Sequence, residues 1–218
     1  KNIHGNLEVK DPVQLYLGST SSPVRERAGL PFMEFFAGIG LVRYALERQG
    51  WKAVYANDIS PEKEQMYCDH FGFNDDEFEL GDIHQLNVDA LPSALLATAS
   101  FPCTDLSLAG SRAGLNKGKQ SSAFWGFIDI LRSLKPRRPP LVMLENVPGF
   151  LTSHKGQDFH EALQALNKLG YALDTFIIDA LDFVPQSRKR LFIIGMNQYH
   201  LSPSYHTIEE TALRPKAL

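Results

Sequence analysis

Two residues of this 218-residue chain are of reactive types and stand where apolar runs end. Cys103 lies in Phe101-Pro102-Cys103-Thr104-Asp105-Leu106-Ser107, behind the run Leu95–Ser100 and ahead of a loop rich in Gly, Ser and Lys. A thiol at the exit of a parallel strand sits at the edge where open α/β sheets place their chemistry, and its thiolate is a nucleophile. Most cysteines are small buried hydrophobes; Cys103 is set apart by its company. The run from Leu141 ends in Glu145-Asn146-Val147-Pro148-Gly149. Burying a carboxylate is costly unless it is paired or protonated, and a carboxylic acid kept protonated can donate its proton at neutral pH.

A second group of residues is suited to holding a nucleoside. Phe35-Phe36-Ala37-Gly38-Ile39-Gly40 joins a strand to a helix, and its glycines let backbone amides approach a ligand. The dinucleotide fingerprint wants a third glycine where Arg43 stands, which disfavours a nicotinamide cofactor. Asp58, in Asn57-Asp58-Ile59, is placed to accept hydrogen bonds from ribose hydroxyls. Gly81-Asp82-Ile83 offers a carboxylate to an adenine amino group, with Ile83 and Ile59 as apolar walls. Each could be an ordinary turn, but three at successive strand ends point to an adenosine-containing ligand. No Gly-x-x-x-x-Gly-Lys loop is present to cradle phosphates, so S-adenosylmethionine fits better than ATP.

The elements that must position these groups alternate. Strands are expected at Phe32–Phe36, Ala53–Asn57, Phe78–Leu80, Leu95–Ser100, Leu141–Glu145, Ala172–Ile178 and Leu191–Gly195. Helices are expected at Leu41–Gln49, Pro61–Phe71, Ala123–Leu134 and Gln157–Leu169, with Ser60 as cap, Pro61 in the first turn and Gly170 just past the last helix. This spacing implies βαβ units in a mostly parallel sheet covered on both faces. The last two strands are joined by too short a link for a helical crossover, so they pair as a late antiparallel hairpin.

Composition suits a soluble globular protein of one large domain, or one domain plus a fragment: 44% hydrophobic, 22% charged, net charge −3. No run approaches the ~20 apolar residues of a membrane span, and no signal-peptide pattern opens the chain. Two cysteines, Cys68 and Cys103, are too few for a disulfide scaffold and suit a reducing compartment, Cys68 having a structural role. The balance is not that of an autonomous nucleic-acid binder. Cations nevertheless cluster at Arg112, Lys117, Lys119, Arg132, Lys135, Arg137 and Arg138, and again at Ser187-Arg188-Lys189-Arg190. The clusters permit a local phosphate-binding face.

Together, in order and spacing, these segments resemble the cytosine-5 DNA methyltransferase family from about Phe32 to Gly195. Phe35–Gly40 looks like its first motif, Asn57-Asp58 its second and Gly81-Asp82-Ile83 its third. Phe101-Pro102-Cys103 is similar to its nucleophile motif, Glu145-Asn146-Val147 to its Glu-Asn-Val motif, and Gln186-Ser187-Arg188-Lys189-Arg190 to its Gln-x-Arg-x-Arg motif. The resemblance implies the Rossmann-like fold of S-adenosylmethionine-dependent methyltransferases, with a mostly parallel seven-stranded sheet. It implies methyl transfer to carbon 5 of a flipped-out cytosine in DNA, yielding S-adenosylhomocysteine without a metal.

In that reading Cys103 adds to carbon 6, Glu145 contacts the ring nitrogen and amine, and Arg188 and Arg190 hold the base carbonyl and a phosphate. Asn146 shapes the loop around Cys103. The cofactor is held by Phe36, Ala37, Gly38, Ile39, Gly40, Asp58, Ile59, Asp82, Ile83 and Pro102. DNA is met by Ser107, Arg112, Lys117, Lys119 and Gln186, with Ser107–Gln120 as the closing loop and Ser121-Ser122-Ala123-Phe124 beside the methionine end of the cofactor.

Three departures stand out. Thr104-Asp105 replace the family's usual Gln and small or aromatic residue, so Asp105 is expected to point away from the thiol. Phe183-Val184-Pro185 lacks the usual glycine. Residues 1–30 read as an extension and 31–198 as the cofactor-binding and catalytic domain. The tail 199–218 leads toward a target-recognition domain for which no length is left. This implies a complementary polypeptide or a truncated product, poor methylation by the chain alone, no membrane, and an intracellular location, cytoplasmic in a bacterium or nuclear in a eukaryote. Two alternatives stay open: an RNA cytosine-5 methyltransferase, and a non-catalytic methyltransferase-like regulatory or binding subunit, which need not keep both Cys103 and Glu145.

Overall fold

The computed structural model describes residues 29–72, 77–102 and 123–198. Cys103, Asp105, Ser107, Arg112, Lys117 and Lys119 lie outside the described residues, as do nearly all of the N-terminal extension and the tail from 199.

The strands are β1 (Leu30–Phe35), β2 (Trp51–Asp58), β3 (Phe78–Leu80), β4 (Leu96–Ala99), β5 (Leu141–Asn146), β6 (Tyr171–Asp179) and β7 (Lys189–Asn197). They form one sheet in the order β3-β2-β1-β4-β5-β7-β6. All neighbours pair in parallel except those of β7, which is antiparallel to both β5 and β6. The expected hairpin is therefore present, but its second strand slots between β5 and β6 rather than adding at the edge. Runs of pattern alone do not contain that choice.

Helix α1 (Leu41–Glu47) and α2 (Pro61–Phe71) cover one face; α3 (Ala123–Leu134) and α4 (Gln157–Lys168) cover the other. Alternation along β1 assigns the faces. Met33 and Phe35 enter the main core with Phe124, Phe127, Ile128 and Leu131 of α3, whose spacing makes one helical stripe. Phe32 points the other way and meets Leu96 and Ala53, with Leu46 of α1 packed against them. Burial on both faces explains why β1 and β4 read as continuous apolar runs. Ser60 caps α2, its hydroxyl accepting from the Lys63 amide at 3.3 Å. Gly170, at φ 90°, ends the turn after α4.

Gly126 fits α3 tightly to the turn after β3. A Cβ there would lie 2.6 Å from Ile83 Cγ2 and 3.0 Å from the His84 ring. This close approach sets the turn that carries Asp82. Among the described residues, no helix is long and apolar enough to cross a membrane, and no group of three His, Cys, Asp or Glu could hold a metal.

Candidate active site

The chain runs from β1 outward to β2 and β3, then returns to the other side of β1 for β4 and β5. Such a reversal leaves a crevice at the carboxyl ends of the strands. Here a cleft of about 240 Å³ is lined by Phe36, Asn57, Ile59, Gly81, Asp82, Ile83, His84, Pro102 and Ala123. Five of these are predicted cofactor residues: Phe36, Ile59, Asp82, Ile83 and Pro102. Asn57, Gly81 and Ala123 belong to the motifs already quoted. His84 is the addition, legible only as the residue after a motif.

The glycine loop beneath the cleft is held by backbone and carboxylate bonds. Phe36, Gly38 and Gly40 all have left-handed backbone, φ 56°, 58° and 82°. A phenylalanine in that region is strained, and here it turns the chain off β1 while the ring enters the cleft wall. Gly40 has no alternative: a Cβ would lie 2.2 Å from the Phe71 ring and 2.9 Å from that of Tyr67.

Asp58, expected to accept from a ribose, ends β2 and holds the glycine loop. It is buried, at 4% exposure, and Oδ2 accepts from the Gly38 amide at 2.9 Å while Oδ1 accepts from the Ser60 amide at 3.0 Å. Lys63 Nζ stands 3.5 Å from Oδ2. Its carboxylate ties the loop after β1 to the start of α2. Ala37, Gly38, Ile39 and Gly40 form that loop. Asp82 lines the cleft, with Oδ1 accepting from the His84 amide at 3.0 Å.

The edge that carries Glu145 is built from β4, β5 and β7. Glu145 is not the isolated buried carboxylate of one alternative. It is partly exposed and paired, with Oε1 2.7 Å from Arg190 Nε. The pairing follows from the antiparallel register, which sets Glu145 opposite Phe192 and brings the start of β7 alongside the end of β5. Arg190 also donates from Nη1 to the Lys189 carbonyl at 2.8 Å. A paired carboxylate with a neighbouring guanidinium can bind a ring that offers both donor and acceptor atoms.

Asn146 is buried and links this pair to the segment after β4. Its Nδ2 donates to the Phe101 carbonyl at 3.1 Å, and its Oδ1 accepts from the Val147 amide at 2.8 Å. Phe101 packs edge-on to Phe150 and tilted against Phe124. The backbone two residues before Cys103 is thus anchored to the strand that carries Glu145, and Pro102 bounds the cleft. Gln186 and Arg188 stand exposed in the turn between β6 and β7, where the Arg188 amide donates to Asp179 Oδ1 at 2.7 Å.

The described half of the first basic cluster does not form a phosphate face beside this edge. Arg137 donates to the carbonyls of Leu91 and Val88, and Arg138 to those of Leu131 and Leu169. Arg132 pairs with Asp129. These bonds close the opposite edge, where β4, β5 and β6 begin. Planar guanidinium groups satisfy carbonyls left open at loop and helix ends; Arg132, Lys135 and Arg137 remain exposed, but away from the Glu145 edge.

A sequence profile of C-5 cytosine-specific DNA methylases matches residues 30–217. The type II methyltransferase M.DsaV of Dactylococcopsis salina is 36% identical over 171 residues, 78% of this chain and 46% of that protein. M.HhaI of Haemophilus parahaemolyticus is 33% identical over 171 residues, 78% of this chain and 50% of that protein. The crystal structure of the S. pombe Dnmt2 methyltransferase superposes with a TM-score of 0.64 at 25% identity, over 81% of this chain and 53% of that one. The chain thus spans about half the length of the relatives it matches. With its profile match over most of its length, the chain belongs to the C-5 cytosine-specific DNA methylase family.

Proposed function

We propose that this chain carries the reactive half of a DNA cytosine-5 methyltransferase, acting on a flipped-out cytosine through a covalent Cys103 adduct. The observation that carries the reading is the Glu145–Arg190 pair, tied through Asn146 to the segment that leads into Cys103. The cleft suits an adenosine: apolar walls from Phe36, Ile59 and Ile83, with the Asp82 carboxylate among them. S-adenosylmethionine, when bound, supplies an electrophilic methyl group.

Carbon 5 of cytosine is a weak nucleophile, and addition of the Cys103 thiolate to carbon 6 makes the ring an enamine that can accept methyl at carbon 5. Glu145 contacts ring nitrogen 3 and the exocyclic amine as charge develops. Arg190, held against Glu145, meets the base carbonyl, and Arg188 meets a neighbouring phosphate. Methyl transfer releases S-adenosylhomocysteine, and a water then takes the carbon 5 proton as the carbon 6–sulfur bond breaks and the Cys103 thiolate leaves. These ring atoms are hidden in a duplex, so the base must leave the stack. Ser107, Arg112, Lys117, Lys119 and Gln186 serve DNA contact, and target recognition falls to a further C-terminal region or a complementary polypeptide.

The test is covalent capture on DNA carrying 5-fluorocytosine, with S-adenosylmethionine and candidate partner polypeptides present. A denaturation-resistant adduct that vanishes in Cys103→Ala is expected. Failure to form one while S-adenosylmethionine binds would favour a non-catalytic subunit, and capture on transfer RNA but not DNA would favour an RNA substrate.

A further inference from the structure

The connection from β6 to β7 exposes more apolar surface than its fold requires. Leu181 is 58% exposed, Phe183 77% and Val184 49%. The turn is nonetheless firmly built. Both oxygens of Asp179 are engaged: Oδ1 accepts from the Leu181 and Arg188 amides, and Oδ2 from the Ser187 hydroxyl at 2.8 Å. The Ala180 carbonyl accepts from the amides of Phe183 and Val184 at 2.9 and 2.8 Å. An aromatic tip is therefore held out on a turn whose backbone is already ordered, which lowers the entropic cost of a contact.

The turn's position indicates what it meets. Strand β6 runs parallel to β5, because both are antiparallel to β7, so the turn leaves the sheet at the edge that carries Glu145. It feeds directly into Lys189 and Arg190, and Arg190 pairs with Glu145. A duplex that delivers a cytosine to Glu145 must pass its flanking nucleotides over the neighbouring surface. Taking a base out of the stack leaves unstacked faces beside the gap, which apolar side chains can occupy. Arg188 and Lys189 add exposed cations on the same turn.

We propose that this turn is a DNA wedge: Phe183, flanked by Leu181 and Val184, presses on the duplex beside the displaced cytosine, and Lys189 meets an adjacent phosphate. The inference rests on the methyl-transfer reading above. It adds a contact that the six motifs do not include.

The experiment measures binding of the 218-residue chain to a short labelled duplex bearing one cytosine opposite an abasic site, across a range of salt. Phe183→Ala is expected to weaken binding about five-fold or more, as for loss of one stacked base, with the slope of log Kd against log salt unchanged. Lys189→Gln is expected to reduce that slope by about one. Thermal melts confirm that both variants fold, since neither side chain is buried. Phe183→Ala binding as tightly as wild type overturns the wedge while leaving methyl transfer standing. If that variant instead loses self-association or binding to an added polypeptide, the surface belongs to a protein partner and the wedge is likewise overturned. A wild-type chain that binds S-adenosylmethionine but no DNA at low salt, with candidate partner polypeptides added as well as without them, overturns both the wedge and the DNA substrate.

Discussion

Replacing Glu34 by Gln should flatten the pH dependence of stability. Glu34 lies in the middle of β1 and is 2% exposed. Tyr67 donates its hydroxyl to Oε2 at a long 3.4 Å. The nearby Arg43 guanidinium is directed elsewhere, 2.9 Å from Glu47 and 3.4 Å from Glu77, with its plane over the Phe71 ring. Burial therefore dominates and pushes the Glu34 carboxyl from its ordinary 4.5 up to about 8, against the smaller opposing effects of the Arg43 amide and Tyr67. Between those two values the folded chain keeps a proton that the unfolded chain has lost. Stability from this group is thus full below about pH 4.5 and declines as pH rises toward 8. The slope is about 1.4 kcal/mol per pH unit, so roughly 3 kcal/mol is lost between pH 5 and pH 7. That is a large share of a typical domain's 5–15 kcal/mol. Gln is neutral at every pH and mimics the protonated acid. Urea unfolding followed by tryptophan fluorescence at several pH values should show the variant gaining on wild type by about that amount from pH 5 to pH 7. Parallel stability curves for the two proteins would refute a buried, protonated Glu34.

Three further outcomes follow from the site. Gly40→Ala should destabilise the chain by roughly 1–3 kcal/mol, read as a lowered Tm, because the new methyl group meets the rings of Phe71 and Tyr67. Asp58→Ala should weaken S-adenosylmethionine binding at least ten-fold in calorimetry, through loss of two charge-assisted bonds worth about 1.5–3 kcal/mol each. Asp58→Asn, which keeps an acceptor, should recover part of it. Asn146→Ala should cost about 1–3 kcal/mol by stranding the Phe101 carbonyl and Val147 amide, and should slow capture by 5-fluorocytosine DNA more than it weakens cofactor binding.

The elements were legible because their signals are local. Helix Pro61–Phe71 carries its own cap and first-turn proline, and α3 carries its own apolar stripe, so both boundaries agree with the expectation. The short link after Asp179 forbade a crossover and forced the hairpin. Phe36, Ile59, Asp82, Ile83 and Pro102 share one cleft because they occupy turns directly after strands, where chain direction alone brings them to one edge. His84 was hidden because its place in the cleft depends on α3 approaching closely at Gly126.

What residue order alone determined was the inventory of chemistry and its sequence along the chain: a thiol, a carboxylate and arginines, each near a strand end, and glycines where backbone must turn left-handed. The three-dimensional partners were decided only by the fold. Arg137 is of a type that suits a phosphate, yet it closes the far edge, and Asp58 is joined to the glycine loop 20 residues before it. Glu145 could have been solitary and protonated, and it is paired because β7 enters between β5 and β6. The physical reason is that a hydrogen bond or ion pair depends on ångström-scale separation between residues distant in sequence, and strand order and register set that separation.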